Sequence, residues 1–140
     1  MRPFLLHQSY RVKLMVRFWM GVAGVMAALS IAIGAFAAHG LKVYLSPYQL
    51  DIVKTAAYYQ LIHSLALLLI AVLVINLGKR LSLSFAAFGF IIGTFLFSGS
   101  LYALAFGAPS WVGAITPIGG LFFIFGWLAL SVSMCRTSHF

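Results

Sequence analysis

Acidic residues are nearly absent from this chain. Asp51 stands alone against nine Lys and Arg. That scarcity removes whole classes of chemistry. Hydrolysis by paired carboxylates has no second acid to work with. Proton-coupled transport commonly places a carboxylate inside the membrane, and no apolar segment here holds one. Cysteine is almost as scarce. Cys135 has no partner for an intrachain disulfide, and no multi-cysteine metal site is available. Charged residues together make up 7% of the chain, where a soluble domain carries about 25%, so a soluble globular protein is excluded. There is no long-period repeat, low-complexity tract or flexible linker, which leaves one compact membrane domain.

What is present is apolar: 64% of the residues, with a mean hydropathy of +1.09. Crossing the hydrocarbon core takes about 20 mostly apolar residues. Four segments reach that length, at 18–38, 56–77, 83–106 and 116–135. An excess of basic residues in a soluble protein would suggest nucleic acid. Here the positive charges sit outside the apolar segments, so topology explains them and no nucleic-acid partner is expected. Arg2, Arg11, Lys13, Arg17, Lys79, Arg80 and Arg136 fall on one side of four spans; only Lys42 and Lys54 fall on the other. The positive-inside rule then places both termini in the cytoplasm. The expected fold is an all-α membrane protein, a four transmembrane helix bundle. Residues 1–17 form a basic juxtamembrane arm, 18–135 a single transmembrane domain and 136–140 a short tail. Ala35-Phe36-Ala37 resembles a signal-peptidase site, but the apolar run before it exceeds the 7–15 residues of such a signal.

Helix ends are marked. Ser46-Pro47-Tyr48-Gln49 reads as a capping box with proline at the first helical position, so the second helix starts near Pro47, ahead of the membrane. Thr116-Pro117 reads as a similar start for the fourth. Small residues mark close helix approach. Ala23, Ala27, Ser30, Gly34 and Ala38 form a stripe on the first helix. Gly89 and Gly93 do so on the third, and Gly119, Gly120 and Gly126 on the fourth.

The second helix opens with many hydrogen-bonding groups. At 100° per residue, Thr55, Tyr59, Gln60 and His63 share one face. The topology brings His39 and Lys42 of the first helix to the same outer layer, with Ser98, Ser100 and Tyr102 of the third and Thr116 of the fourth. Unpaired polar groups are costly in hydrocarbon, so these side chains should face one another. Two readings stand: an interhelical hydrogen-bond lock, or a site for a lipid, small ligand or proton.

The motifs "GAFAAHGLK", "TAAYYQLIHSLALL", "LFSGSLY" and "TPIGGLFFIFGW" together resemble the YgdD/YwdK family, domain of unknown function 423. The resemblance covers residues 19–130. It implies a four-helix membrane protein of the bacterial inner membrane and brings no established reaction. Members often have Gly where this chain has Ala37.

The remaining chemistry is thin. His39 and His63 lie about 10 Å apart in depth, which argues against a shared haem iron. A zinc site needs at least three protein ligands, and too few are at hand. No cofactor and no metal are expected. A serine nucleophile at Ser98 or Ser100 with His63 as base would lack an orienting acid. The expected function is therefore non-enzymatic: support of membrane integrity or of a larger membrane complex, with membrane lipids and copies of itself as partners. The alternative is a small transporter or channel using His63, whose ordinary pKa is about 6.5.

Overall fold

The computed structural model describes residues 2–135, with side chains from residue 10 onward. Four long helices follow one another: α1 (Arg2–Ala38), α2 (Pro47–Leu77), α3 (Leu81–Ala105) and α4 (Ile115–Cys135). Short 3-10 helices at Leu41–Val43 and Ser110–Ala114 occupy the connections at one end. Among the described residues, four stretches are long and apolar enough to cross a membrane: Tyr10–Ala38, Pro47–Leu77, Leu81–Ala105 and Ser110–Cys135. The basic arm is continuous with the first span in the single helix α1. Arg136 and the rest of the tail lie outside the described residues.

Local chemistry accounts for the helix ends. Ser46 Oγ accepts from the Gln49 amide at 3.3 Å, and Gln49 Oε1 accepts from the Ser46 amide at 2.9 Å. This is the reciprocal capping box that the sequence predicts, with Pro47 at the first turn. Gln49 also donates its side-chain amide to Ala105 O at 3.0 Å, tying the start of α2 to the end of α3. At the other end α2 stops at Gly78, whose φ of 77° suits glycine. Gly78, Lys79 and Arg80 alone then reverse the chain into α3.

The start of α4 differs from the sequence expectation. The 3-10 turn over Ser110–Ala114 runs straight into the helix, and the Ile115 amide donates to Val112 O and Gly113 O. The helix therefore begins one residue ahead of Thr116, and carbonyls of the 3-10 turn receive its first amide. Thr116 lies inside the first turn and its hydroxyl is released for another contact.

Neighbouring helices run antiparallel, α1 on α2, α2 on α3 and α3 on α4. On α1 the buried residues Val16, Trp19, Ala23, Met26, Ser30 and Ala37 form one seam, with the alternating steps of three and four that keep two helices in register. On α2 the seam Leu50, Val53, Ala57, Gln60, Ser64, Leu67, Ala71 and Val74 obeys the same rule. A second buried row on α2, Ala56, His63, Ala66 and Ile70, looks toward α3 and α4. With both rows buried, α2 is enclosed on two sides.

The α3–α4 contact is the closest. A methyl group on Gly89 would lie 3.1 Å from Gly126 Cα, and one on Gly119 would lie 2.8 Å from Phe97 Cα. One on Gly126 would meet the Phe90 ring at 2.7 Å, and one on Gly93 would strike the Phe123 ring. Gly120 is looser, with only the Phe97 ring at 3.9 Å. On α1 the seam takes in Ala23 and Ser30 of the expected stripe but not the rest: Ala27 is half-buried, and Gly34 has no neighbour within 4 Å of where a Cβ would stand. Ala37 is fully buried with Leu50, Val53 and Ala105 in a small cluster at one end of the bundle.

Gly119→Ala should therefore cost roughly 1–3 kcal/mol of bundle stability by overpacking. Gly34→Ala, the same change into open space, should cost nothing. Denaturant titration of both variants in one detergent checks this; equal stability would contradict the close α3–α4 approach.

Candidate functional site

Polar side chains of the spans collect around α2, but in two places. Gln60 and His63 are three residues apart, about 60° around the helix, and that angle divides them. Gln60 turns to α1 and α3. Its amide nitrogen donates to Met26 O at 2.7 Å, and its oxygen accepts from Tyr102 Oη at 3.0 Å. One side chain thereby joins three helices. Two hydroxyls flank it. Ser30 of α1 donates to Ala57 O at 2.6 Å, and Ser98 of α3 donates to Ala56 O at 2.9 Å. Ser64 donates back to Gln60 O within α2, at 2.6 Å.

His63 turns the other way, toward α4. Its ring stacks on Phe123, with centroids 3.4 Å apart and planes 6° apart. Phe90, Tyr59 and Trp127 close the remaining sides. Nδ1 lies 2.7 Å from Tyr59 O, and a carbonyl only accepts, so Nδ1 carries the proton. Nε2 then accepts from Trp127 Nε1 at 3.2 Å. This assignment is the neutral imidazole with both nitrogens occupied. A second proton would set the Nε2 donor against the indole donor.

A third contact joins α3 to α4, where Ser100 Oγ and Thr116 Oγ1 meet at 2.7 Å. Of the other residues expected in this layer, His39, Lys42 and Thr55 lie apart from it, while Tyr59 borders it through its ring and its carbonyl. His39 and Lys42 are exposed beyond the end of α1. Thr55 faces outward and bonds its own helix at Asp51 O, 2.8 Å away. Tyr59 is 38% exposed, its ring against Phe97 at 4.6 Å. Lys54 forms an ion pair with Asp51 at 3.3 Å, on the surface. Among the described residues no three His, Cys, Asp or Glu gather to hold a metal ion. The Ser98 and Ser100 hydroxyls bond to Ala56 O and Thr116, not to His63.

Two partners were not expected from the sequence. Trp127 stands in an apolar run of the fourth span, and Ser30 reads in the sequence as part of a small-residue stripe. Helix register would have found both. Pairs such as Ser30 with Ala57 and Ser98 with Ala56 fix the levels of neighbouring helices. The glycine interface of α3 with α4 then brings Trp127 opposite His63.

Four membrane-spanning helices, joined by buried hydrogen bonds and a glycine interface, define a polytopic α-helical membrane protein. Residues 33–120 match the family described as "Protein of unknown function (DUF423)", and the chain belongs to that family. It is 45% identical over 101 residues to the UPF0382 membrane protein of Haemophilus influenzae, covering 72% of this chain and 80% of the relative. It is 37% identical over 115 residues to YwdK of Bacillus subtilis, covering 82% and 94%. To the inner membrane protein YgdD of Escherichia coli it is 34% identical over 122 residues, covering 86% and 91%. No solved structure matches the chain.

A double-mutant cycle with Gln60→Leu and Tyr102→Phe should show a coupling of about 0.6–1.7 kcal/mol, the range for buried membrane hydrogen bonds. Additive losses in unfolding free energy would mean that the two side chains do not meet.

Proposed function

We propose that this chain is a non-enzymatic integral protein of the bacterial inner membrane. Its polar clusters are interhelical locks, and it acts through association within the membrane, supporting membrane integrity or a larger complex. The observation that carries this reading is the state of His63. It is the single histidine within the spans, and both its nitrogens are engaged. A transport or catalytic histidine needs a nitrogen that can exchange a proton with its surroundings; this one is enclosed by aromatic rings. Gln60 supports the same reading, with both ends of its amide in use.

Inner-membrane placement follows the E. coli relative YgdD, named as an inner membrane protein. The orientation follows charge: the basic arm that opens α1, the Lys79-Arg80 turn and Arg136 share one side of four spans, which the positive-inside rule makes cytoplasmic. Small-residue faces and exposed apolar helix surfaces suit pairing with a second copy or another membrane protein.

Liposomes containing the pure protein and a trapped pH dye should show no proton flux above protein-free vesicles, for wild type and His63→Ala alike. A flux that His63→Ala abolishes would sink the lock reading and favour a transporter. Topology has its own probe in Cys135, the chain's single cysteine, exposed at the end of α4. A membrane-impermeant maleimide should label it in inside-out vesicles and leave it unlabelled in intact spheroplasts. The opposite pattern would reverse the orientation.

A further inference from the structure

α1 and α3 both lean on α2 without closing on each other, and a valley of about 680 Å³ lies between them. Its walls are almost wholly apolar, and Gln60 and Tyr102 form the polar part of its floor. Arg17 stands at the end nearer the N-terminal arm. From the geometry we infer that this valley binds one acyl chain of an anionic phospholipid from the leaflet on the N-terminal side, with Arg17 holding the phosphate.

Three observations carry this. The first is length. From Arg17 to Met26, where the Gln60 bridge crosses to α1, α1 rises about 13.5 Å. One leaflet of a roughly 30 Å hydrocarbon core is about 15 Å deep. A chain descending from a headgroup at Arg17 therefore ends at the Gln60–Tyr102 bridge. The second is lining. From Arg17 to Ile33 the valley runs about 24 Å along α1, between walls that are almost wholly apolar, which suits a hydrocarbon chain. The third is charge. Arg17 is exposed, with Lys13 one turn away on the same face. The single carboxylate side chain, Asp51, is at the far end of the bundle and paired with Lys54. A phosphate from the lipid supplies the missing counter-charge.

Two glycines line the valley, Gly21 and Gly99, and neither has a protein atom within 4 Å of where a Cβ would stand. A side chain added at either enters the valley with its Cβ clear of the bundle. Gly21 lies in the half assigned to the lipid chain, and Gly99 in the other half.

The test is native mass spectrometry of protein released from bilayers of equimolar phosphatidylglycerol and phosphatidylethanolamine. Wild type should retain phosphatidylglycerol preferentially. Gly21→Leu should lose the bound lipid, while Gly99→Leu keeps it. Arg17→Gln should keep a lipid but lose about five-fold in preference for the anionic headgroup. Lipid retained by Gly21→Leu as by wild type, or headgroup preference unmoved by Arg17→Gln, would overturn the assignment. So would a change from monomer to dimer in place of lipid loss, which would give the valley to a second copy. These results do not depend on whether the protein conducts protons, so this assignment and the non-transport reading fail separately.

Discussion

A polar side chain in hydrocarbon has no water to turn to, and this protein meets that constraint largely through main-chain carbonyls. A carbonyl oxygen inside a helix has given one lone pair to its own hydrogen bond and keeps the other. Ser30, Ser98 and Gln60 use that second site on a neighbouring helix. Ser64 and Thr94 use it on their own. The carbonyls of Ala56 and Ala57 are consecutive on α2. One receives a hydroxyl from α3 and the other from α1. Two adjacent peptide groups thus fix the register of both flanking helices. Bonds to the backbone survive variation of the residue that carries the carbonyl, so few side chains need to match.

The α3–α4 pair is held on a different principle. Its glycines admit the opposing backbone and aromatic rings to contact distance, and the gain is dispersion over many atoms. The Ser100–Thr116 bond closes one end of this pair. At the other, Arg80 donates to Ser133 O at 3.1 Å. His63 joins the two systems: a polar ring from α2 is seated among the aromatics that α3 and α4 bring together. Its surroundings satisfy one tautomer of the neutral ring, which fixes the ring's orientation as firmly as its depth.

Much of the fold was legible before any coordinates. Span number follows from run length and composition, and the start of α2 follows from Ser46, Pro47 and Gln49. These features are local, within a few residues of chain. The family membership was legible in four motifs. The arrangement of the polar layer was not. Gln60 and His63 fall within one broad face on a helical wheel, yet their angular separation sends them to different neighbours. Which neighbour stands at which angle is a property of the assembled bundle. Thr116 carried a misleading local signal, because the cap it resembles was supplied by a 3-10 turn that nothing in its own motif announces. Among the glycines, composition marked Gly34 and Gly119 alike. Only the opposing surface distinguishes the one in open space from the one against Phe97.

The amide of Gln60 has its two partners on opposite sides of it in the chain. Met26 is synthesised before it and Tyr102 well after. When the ribosome has delivered α1 and α2, the nitrogen end is already matched and the oxygen end is not. A nascent two-helix intermediate released into lipid would carry that unmet acceptor with it. The acceptor is met only when the third helix arrives, and the short Gly78–Arg80 turn places that helix directly after α2 in the chain. A residue that reads in the finished bundle as a fastener is, during biogenesis, a reason for the first half of the protein to wait for the second.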